Sequence, residues 1–147
     1  SDSLLNVVYT GDKDKLPKDR EKLYYLNSKV IPSLTEEEQK IDNALLISTT
    51  TKIKLFTRPV NLHNDSFTSY EKIKCSYENN KLKIENPTPF YMNLSSLRVN
   101  GKEISTAETI APMTAVVLNT TDKSKNLKFS FINDYGVQAK DKQCKFN

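Results

Sequence analysis

The chain has 147 residues, of which 37% are hydrophobic and 27% charged, with a formal net charge of +4. That is about one domain's length, and no apolar run approaches the roughly 20 residues that a membrane-spanning helix needs. The charge is spread evenly, with 10 basic and 9 acidic side chains over residues 1–60 and 12 and 9 over residues 61–147. The concentrated basic stripe of a nucleic-acid binder is therefore absent, and nucleic acid is not an expected partner.

Thirty residues are β-branched (Thr 13, Ile 9, Val 8) against five Ala, and branched side chains suit pleated strands better than helices. With only three Gly, a glycine-rich phosphate cradle is excluded. A mostly β, globular chain is expected. The opening Ser-Asp-Ser carries no signal-peptide pattern, so the sequence has the form of a mature or trimmed chain.

In chain order, Leu4 to Tyr9 is a short β-rich run closed by Thr10-Gly11-Asp12. Residues 23–31 form a second strand candidate that stops at Pro32. Thr35-Glu36-Glu37-Glu38 has the form of a capping box, which predicts one helical turn within a polar loop. Residues 44–58 alternate with period two: Leu45, Ile47, Thr49, Thr51, Ile53 and Leu55 on one face, with Leu46, Ser48, Thr50, Lys52, Lys54 and Phe56 on the other. Fifteen residues at about 3.3 Å each span roughly 50 Å, well beyond a typical strand. Such a strand belongs to an elongated sheet or projects past its neighbours. Pattern alone allows an ordinary core strand, or a free edge that completes another protein's sheet.

After a polar linker at 61–69, strands are expected at 71–77, 80–85, 89–94, 97–99, 114–118, 127–132 and 142–146. The breaks fall at Asn79-Asn80, Asn86-Pro87, Asn100-Gly101, Ala111-Pro112 and Asn133 to Gly136. About seven strands with regular turns suggest an all-β, immunoglobulin-like β-sandwich.

The two cysteines, Cys75 and Cys144, are far apart and fit no metal-ligand spacing. They are either two buried thiols or one disulfide. Their places on the first and last strands of the sandwich favour the second reading, because terminal strands of such folds can be neighbours. The single histidine, His63, lies in the polar linker, and an exposed linker histidine is usually inert. Glu36, Glu37 and Glu38 read as a solvated loop run. Asn64, Asn93 and Asn119 begin Asn-x-Ser/Thr triplets, which matter only in a glycosylating host. No hydrolase elbow, zinc-protease helix or nucleotide loop is present. Neither enzyme activity nor a cofactor or metal is expected.

Five ordered stretches then carry a resemblance. Leu16-Pro17-Lys18-Asp19-Arg20-Glu21-Lys22-Leu23-Tyr24-Tyr25-Leu26-Asn27, running on to Val30-Ile31-Pro32, resembles the signature of periplasmic pilus chaperones of chaperone–usher systems. Thr51 to Pro59 (Thr-Lys-Ile-Lys-Leu-Phe-Thr-Arg-Pro) is similar to the end of that family's first domain, and Glu85 to Tyr91 to a motif of its second. Ile110-Ala111-Pro112 and Phe131 to Gly136 agree as well.

The resemblance implies two immunoglobulin-like domains, with residues 1–60 as the C-terminal strands of an incomplete first domain and 61–147 as the second. It implies that the earlier strands of the first domain are missing here, together with an arginine that shares an anchoring pocket with a lysine. A pilus subunit lacks its last strand, and the chaperone lends one of its own. Leu45, Ile47 and Thr49 would be the inserted side chains, with Thr49 standing where a larger aliphatic is expected. Lys54 would hold the subunit's terminal carboxylate. Glu21, Arg58 and Asp134 match an interdomain salt-bridge network. The implied compartment is the periplasm, and the implied partners are pilus or fimbrial subunits and an outer-membrane usher. An oxidising compartment leads us to expect a Cys75–Cys144 disulfide, which departs from the close C-terminal pair of some members. The apolar face of 45–55 should be covered by a second copy, by a separate chain completing the first domain, or by a subunit. The rival reading is a structural immunoglobulin-like adhesion or pilus component, but Leu4 to Tyr9 is short for a subunit's donor extension.

Overall fold

A computed structural model describes residues 2–43, 45–62 and 66–147. It divides into two compact units: residues 22–57, and residues 1–21 together with 58–147. His63, and Asn64 and Asp65 of the triplet that starts at Asn64, lie outside the described residues.

The smaller unit is a hairpin. β1 (Lys22–Val30) pairs antiparallel with β2 (Thr49–Thr57), in a register that sets Lys22 opposite Thr57 and Val30 opposite Thr49. Between them lies α1 (Glu36–Gln39), a single helical turn. Its capping box is formed as expected: the Thr35 hydroxyl accepts from the Glu38 N–H, and the Glu38 carboxylate accepts from the Thr35 N–H. The expected fifteen-residue strand is shorter than its pattern. β2 begins at Thr49, and the described residues 45–48 carry no strand. Register supplies the reason: Thr49 pairs with the last residue of β1, and Pro32 beyond it has no N–H to extend the ladder.

The larger unit holds the sandwich. Its strands are β3 (Lys74–Glu78), β4 (Lys81–Asn86), β5 (Met92–Val99), β6 (Lys102–Ser105), β7 (Glu108–Ile110), β8 (Thr114–Asn119), β9 (Leu127–Ile132), β10 (Gln138–Gln143) and β11 (Lys145–Phe146). One sheet runs β10-β9-β5-β6, with β7 also paired to β5; the other runs β11-β3-β4-β8. Alternation builds the core between them. Cys75 points in from β3, Leu82 and Ile84 from β4, and Leu127, Phe129 and Phe131 from β9. Each fully buried aliphatic contributes about 1.5–3 kcal/mol. Two hairpin turns rest on left-handed residues: Asn79 and Asn80 join β3 to β4, and Asn100 and Gly101 join β5 to β6. Consecutive positive φ angles match the twist of paired strands, and Asn and Gly tolerate them best.

Three expectations change here. Leu4 to Tyr9 forms no strand, because β propensity without a partner strand leaves the backbone unpaired. The expected strands at 89–94 and 97–99 are one strand, β5, whose pairing to β9 slips between Leu94 and Ser96. That bulge moves the buried phase from Met92 and Leu94 to Leu97 and Val99, which is why the sequence reads as two runs. The expected 142–146 strand is the end of β10 followed by β11, with Cys144 at the crossing between sheets. Strands β6 and β7 were not anticipated.

Cys75 and Cys144 form a disulfide, with Cα atoms 6.1 Å apart. Both are buried. β11 runs parallel to β3 with Phe146 opposite Cys75, and the Cys144 N–H donates to the Leu127 carbonyl at 2.9 Å. The crossing residue is thus bonded to both sheets.

Candidate functional site

Two arrangements stand out, one in each unit. In the hairpin, residues directly opposite share a face. Tyr24 faces Leu55 and Leu26 faces Ile53, making an apolar face, while Tyr25 faces Lys54 and Asn27 faces Lys52 on the other. The apolar face remains open: Ile53 is 52% and Leu55 38% exposed. Leu45 and Ile47 continue the same odd-numbered series beyond the strand and are 84% and 68% exposed. Among the described residues β2 pairs with β1 alone, so its second edge offers backbone donors and acceptors. Lys54 lies on the face opposite to Thr49, Ile53 and Leu55, and burial lowers its pKa from the ordinary lysine value. Lys52 sits over the Tyr25 ring, 4.2 Å from its centre.

In the sandwich unit, Glu21, Arg58 and Asp134 meet. The register explains the first pair: Lys22 lies opposite Thr57, so the next position down the ladder sets residue 21 against residue 58. Arg58 Nε donates to Glu21 Oε1 at 2.7 Å and its Nη1 to Asp134 Oδ2 at 2.9 Å. Glu21 is buried with 2% of its side chain exposed, and its other oxygen accepts from the Tyr91 N–H at 2.7 Å. The Glu21 N–H in turn donates to the Pro89 carbonyl. The guanidinium also lies over the Phe90 ring. Ser66 donates its hydroxyl to the same Asp134 oxygen that Arg58 holds.

Burial disfavours the charged forms at both Arg58 and Asp134, but their mutual hydrogen bonds outweigh it. Those bonds, with that from Ser66, hold the Asp134 carboxyl below its usual range, and those from Asp134 and Glu21 hold Arg58 above its own. A buried carboxylate such as Glu21 would be costly alone; with its arginine and a backbone N–H it is satisfied.

Two loops present these groups, and the residues that shape them lay outside the expected site set. Asn86 is fully buried at the end of β4. Its amide donates to the carbonyls of Phe90, Ile110 and Ala111, and its Oδ1 accepts from the Thr88 N–H and hydroxyl. That fixes the 87–91 loop, which supplies the Pro89 carbonyl and Tyr91 N–H to Glu21. Asn133 shapes the other loop: its Oδ1 accepts from the N–H groups of Tyr135 and Val137. Gly136, at φ 74°, closes the turn where a side chain would be strained. Tyr70 braces its base, donating to the Ile132 carbonyl and accepting from the Asn93 N–H while stacked on Phe131. Burial pushes its phenol up to about 12. In the sequence Asn86 reads only as part of the Asn86-Pro87 break after the strand.

Among the described residues no group of three or more His, Cys, Asp or Glu could hold a metal. No described helix is long and apolar enough to cross a membrane.

The described chain is thus a strand pair followed in sequence by a two-sheet β-sandwich whose loops hold an arginine between two carboxylates. Residues 68–143 match the family model described as the pili assembly chaperone PapD, C-terminal domain, and residues 1–63 match the pili and flagellar-assembly chaperone, PapD N-terminal domain. The chain belongs to the PapD-like pilus-assembly chaperone family. It is 31% identical over 136 residues to the probable fimbrial chaperone SfmC of Escherichia coli K12, covering 92% of this chain and 58% of that protein. Against the probable fimbrial chaperone protein ElfD of Escherichia coli O157:H7 it is 31% identical over 147 residues, covering 99% and 61%.

Among solved structures it is similar to the SafB chaperone in complex with the SafA pilin of Salmonella enterica. That match has a TM-score of 0.77 and 32% identity, covering 91% of this chain and 62% of that one. The periplasmic chaperone SfaE matches with a TM-score of 0.72 and 26% identity, covering 90% and 61%. The chain thus spans about three fifths of the length of the relatives it matches.

Proposed function

We propose that the chain acts as a periplasmic chaperone of pilus or fimbrial subunits. It lends the strand edge of β2, with the apolar series Leu45, Ile47 and Thr49 ahead of it, to a subunit that lacks a strand, and it hands the subunit to an outer-membrane usher. The observation that carries this reading is the open edge and exposed apolar face of β2. A bare two-stranded hairpin is marginal in water and needs a further partner. Strand addition supplies one: backbone bonds give affinity and alternate side chains give selectivity. Support comes from SafB, a relative solved together with a pilin.

In this reading residues 1–60 are the last strands of a first immunoglobulin-like domain and 61–147 are the second, a division in keeping with the two family models. Lys54 binds the subunit's terminal carboxylate through a charge-assisted hydrogen bond. Glu21, Arg58 and Asp134 tie the chain on either side of the hairpin to the loops at 87–91 and 133–137. No reaction is catalysed and no cofactor is needed. Without a subunit, the same face is covered by a second copy or by another chain.

The test is refolding of a denatured fimbrial subunit in the presence of the chain, followed by size-exclusion with light scattering. A one-to-one complex is expected, with Ile47→Asp abolishing it and Lys54→Ala weakening it. A complex indifferent to both substitutions would overturn the assignment. The free chain should scatter as a dimer or larger; a stable monomer would remove the self-association reading.

A further inference from the structure

The sandwich unit carries a groove of about 310 Å³ that the arginine cluster and the hairpin do not use. Its floor is aromatic, formed by Tyr70, Phe129 and Phe131, and its rim is charged, with Lys142 on β10, Lys145 on β11 and Glu71. Local irregularity leaves it open. The pairing of β10 with β9 breaks between Ala139 and Lys142, with Asp141 at φ 55°, and a bulged strand bends away from a regular course. β11 is only two residues long. Tyr70, Phe129 and Phe131 remain core residues, 6%, 3% and 5% exposed, so the floor shows only a small part of each ring, and the more open aromatic of the lining is Phe67 at 41%.

Two further observations give the groove a chemical preference. Among the described residues neither Lys142 nor Lys145 is ion-paired, so two lysines face one carboxylate and the rim is net positive. Beside it Phe67, itself part of the lining, stacks on Tyr135 with ring centres 5.6 Å apart, and Tyr135 is 81% exposed. Aromatic residues standing in solvent beside an apolar hollow are the composition of an interface core.

We propose that this groove docks a peptide segment of a partner protein that presents one aromatic or large aliphatic side chain flanked by carboxylates. The volume is at the lower end of ligand cavities, roughly 300–1,000 Å³, which suits a single anchoring side chain. The bulge in β10 disfavours strand addition there, so recognition runs through the anchor and the lysines. The surface is independent of the donor strand in β2.

The experiment is an NMR titration of the 147-residue chain with acetyl-Gly-Asp-Glu-Phe-Asp-Glu-Gly-amide, alongside the same peptide with Asn and Gln for Asp and Glu. Saturable shifts are expected at Phe129, Phe131, Ala139, Lys142 and Lys145. The neutral peptide and the Lys142→Gln/Lys145→Gln double variant should each bind about fivefold more weakly, as removal of two rim charges implies. Glu71→Gln should bind about twofold more tightly, since it removes the one repelling charge. Ala139→Trp fills the groove and should abolish binding; unchanged β3 and β4 signals in that variant establish that it folds. The absence of saturable shifts at millimolar peptide, equal binding of both peptides, or indifference to the lysine variants would each overturn the proposal. Shifts confined to β1 and β2 would overturn it too, and would assign the peptide to the donor-strand edge.

Discussion

β4 and β2 carry nearly the same pattern, Lys-Leu-Lys-Ile in one and Lys-Ile-Lys-Leu in the other, yet end in opposite surroundings. Leu82 and Ile84 are fully buried, while Ile53 and Leu55 lie open. The difference lies in what each strand is given to pack on. β4 has a strand on either side and a second sheet across the core, whereas among the described residues β2 pairs with β1 alone. Alternation thus specifies a face, and the rest of the fold decides whether that face is core or contact surface.

Substitutions sharpen the contrast. Ile84→Ala should cost about 2–5 kcal/mol in urea unfolding, through lost transfer energy plus a cavity. Ile53→Ala should stay within about 0.5 kcal/mol when the chain is diluted to the monomer, so comparable losses there would show the hairpin face to be buried within the chain itself. Next in size, replacing Cys75 and Cys144 by Ala should cost about 3–4 kcal/mol, the loop-closure effect of a bridge separated by 69 residues. The loss should appear in the sandwich signals and leave those of β1 and β2 unmoved.

Arg58→Ala strands the buried Glu21 carboxylate. Breaking a buried pair costs about 3–5 kcal/mol, discounted here to about 2 because Arg58 is partly exposed. Adding Glu21→Gln should restore part of that loss, and failure to do so would mean that the guanidinium works through Phe90 and not through charge. The smallest effect concerns acid. The folded pKa of Asp134 is depressed, so its contribution is present above the ordinary carboxylate range and lost as pH falls through the folded value. Asp134→Asn should flatten the acid limb of a stability–pH curve below about pH 4.

Legibility in the sequence followed the same divide. Strands with both neighbours and unbroken alternation, β4 and β9, were readable directly, and so was the capping box at Thr35. β5 misled because its bulge shifts the phase in mid-strand. β6 and β7 are too short for period two to register. Leu4 to Tyr9 has strand composition but no partner, which composition cannot report. At the arginine cluster the charged residues were marked by resemblance. Asn86 and Tyr70, which position the loops around them, act through backbone carbonyls and N–H groups, and Ser66 through the Asp134 carboxylate. Such bonds leave little trace in spacing, and Asn86 itself read only as a break after the strand.

The bridge from β3 to the crossing between β10 and β11 also orders events during synthesis. Cys75 emerges as a thiol long before its mate, and no ring can close until 69 further positions have been made. Within this sequence no other intramolecular pairing exists, since it holds two cysteines. An early mistake must therefore join two molecules. Any oxidant acting on the nascent chain favours such dimers, while one acting after release favours the native ring. The timing of oxidation, more than its extent, sets the yield of correctly closed chains.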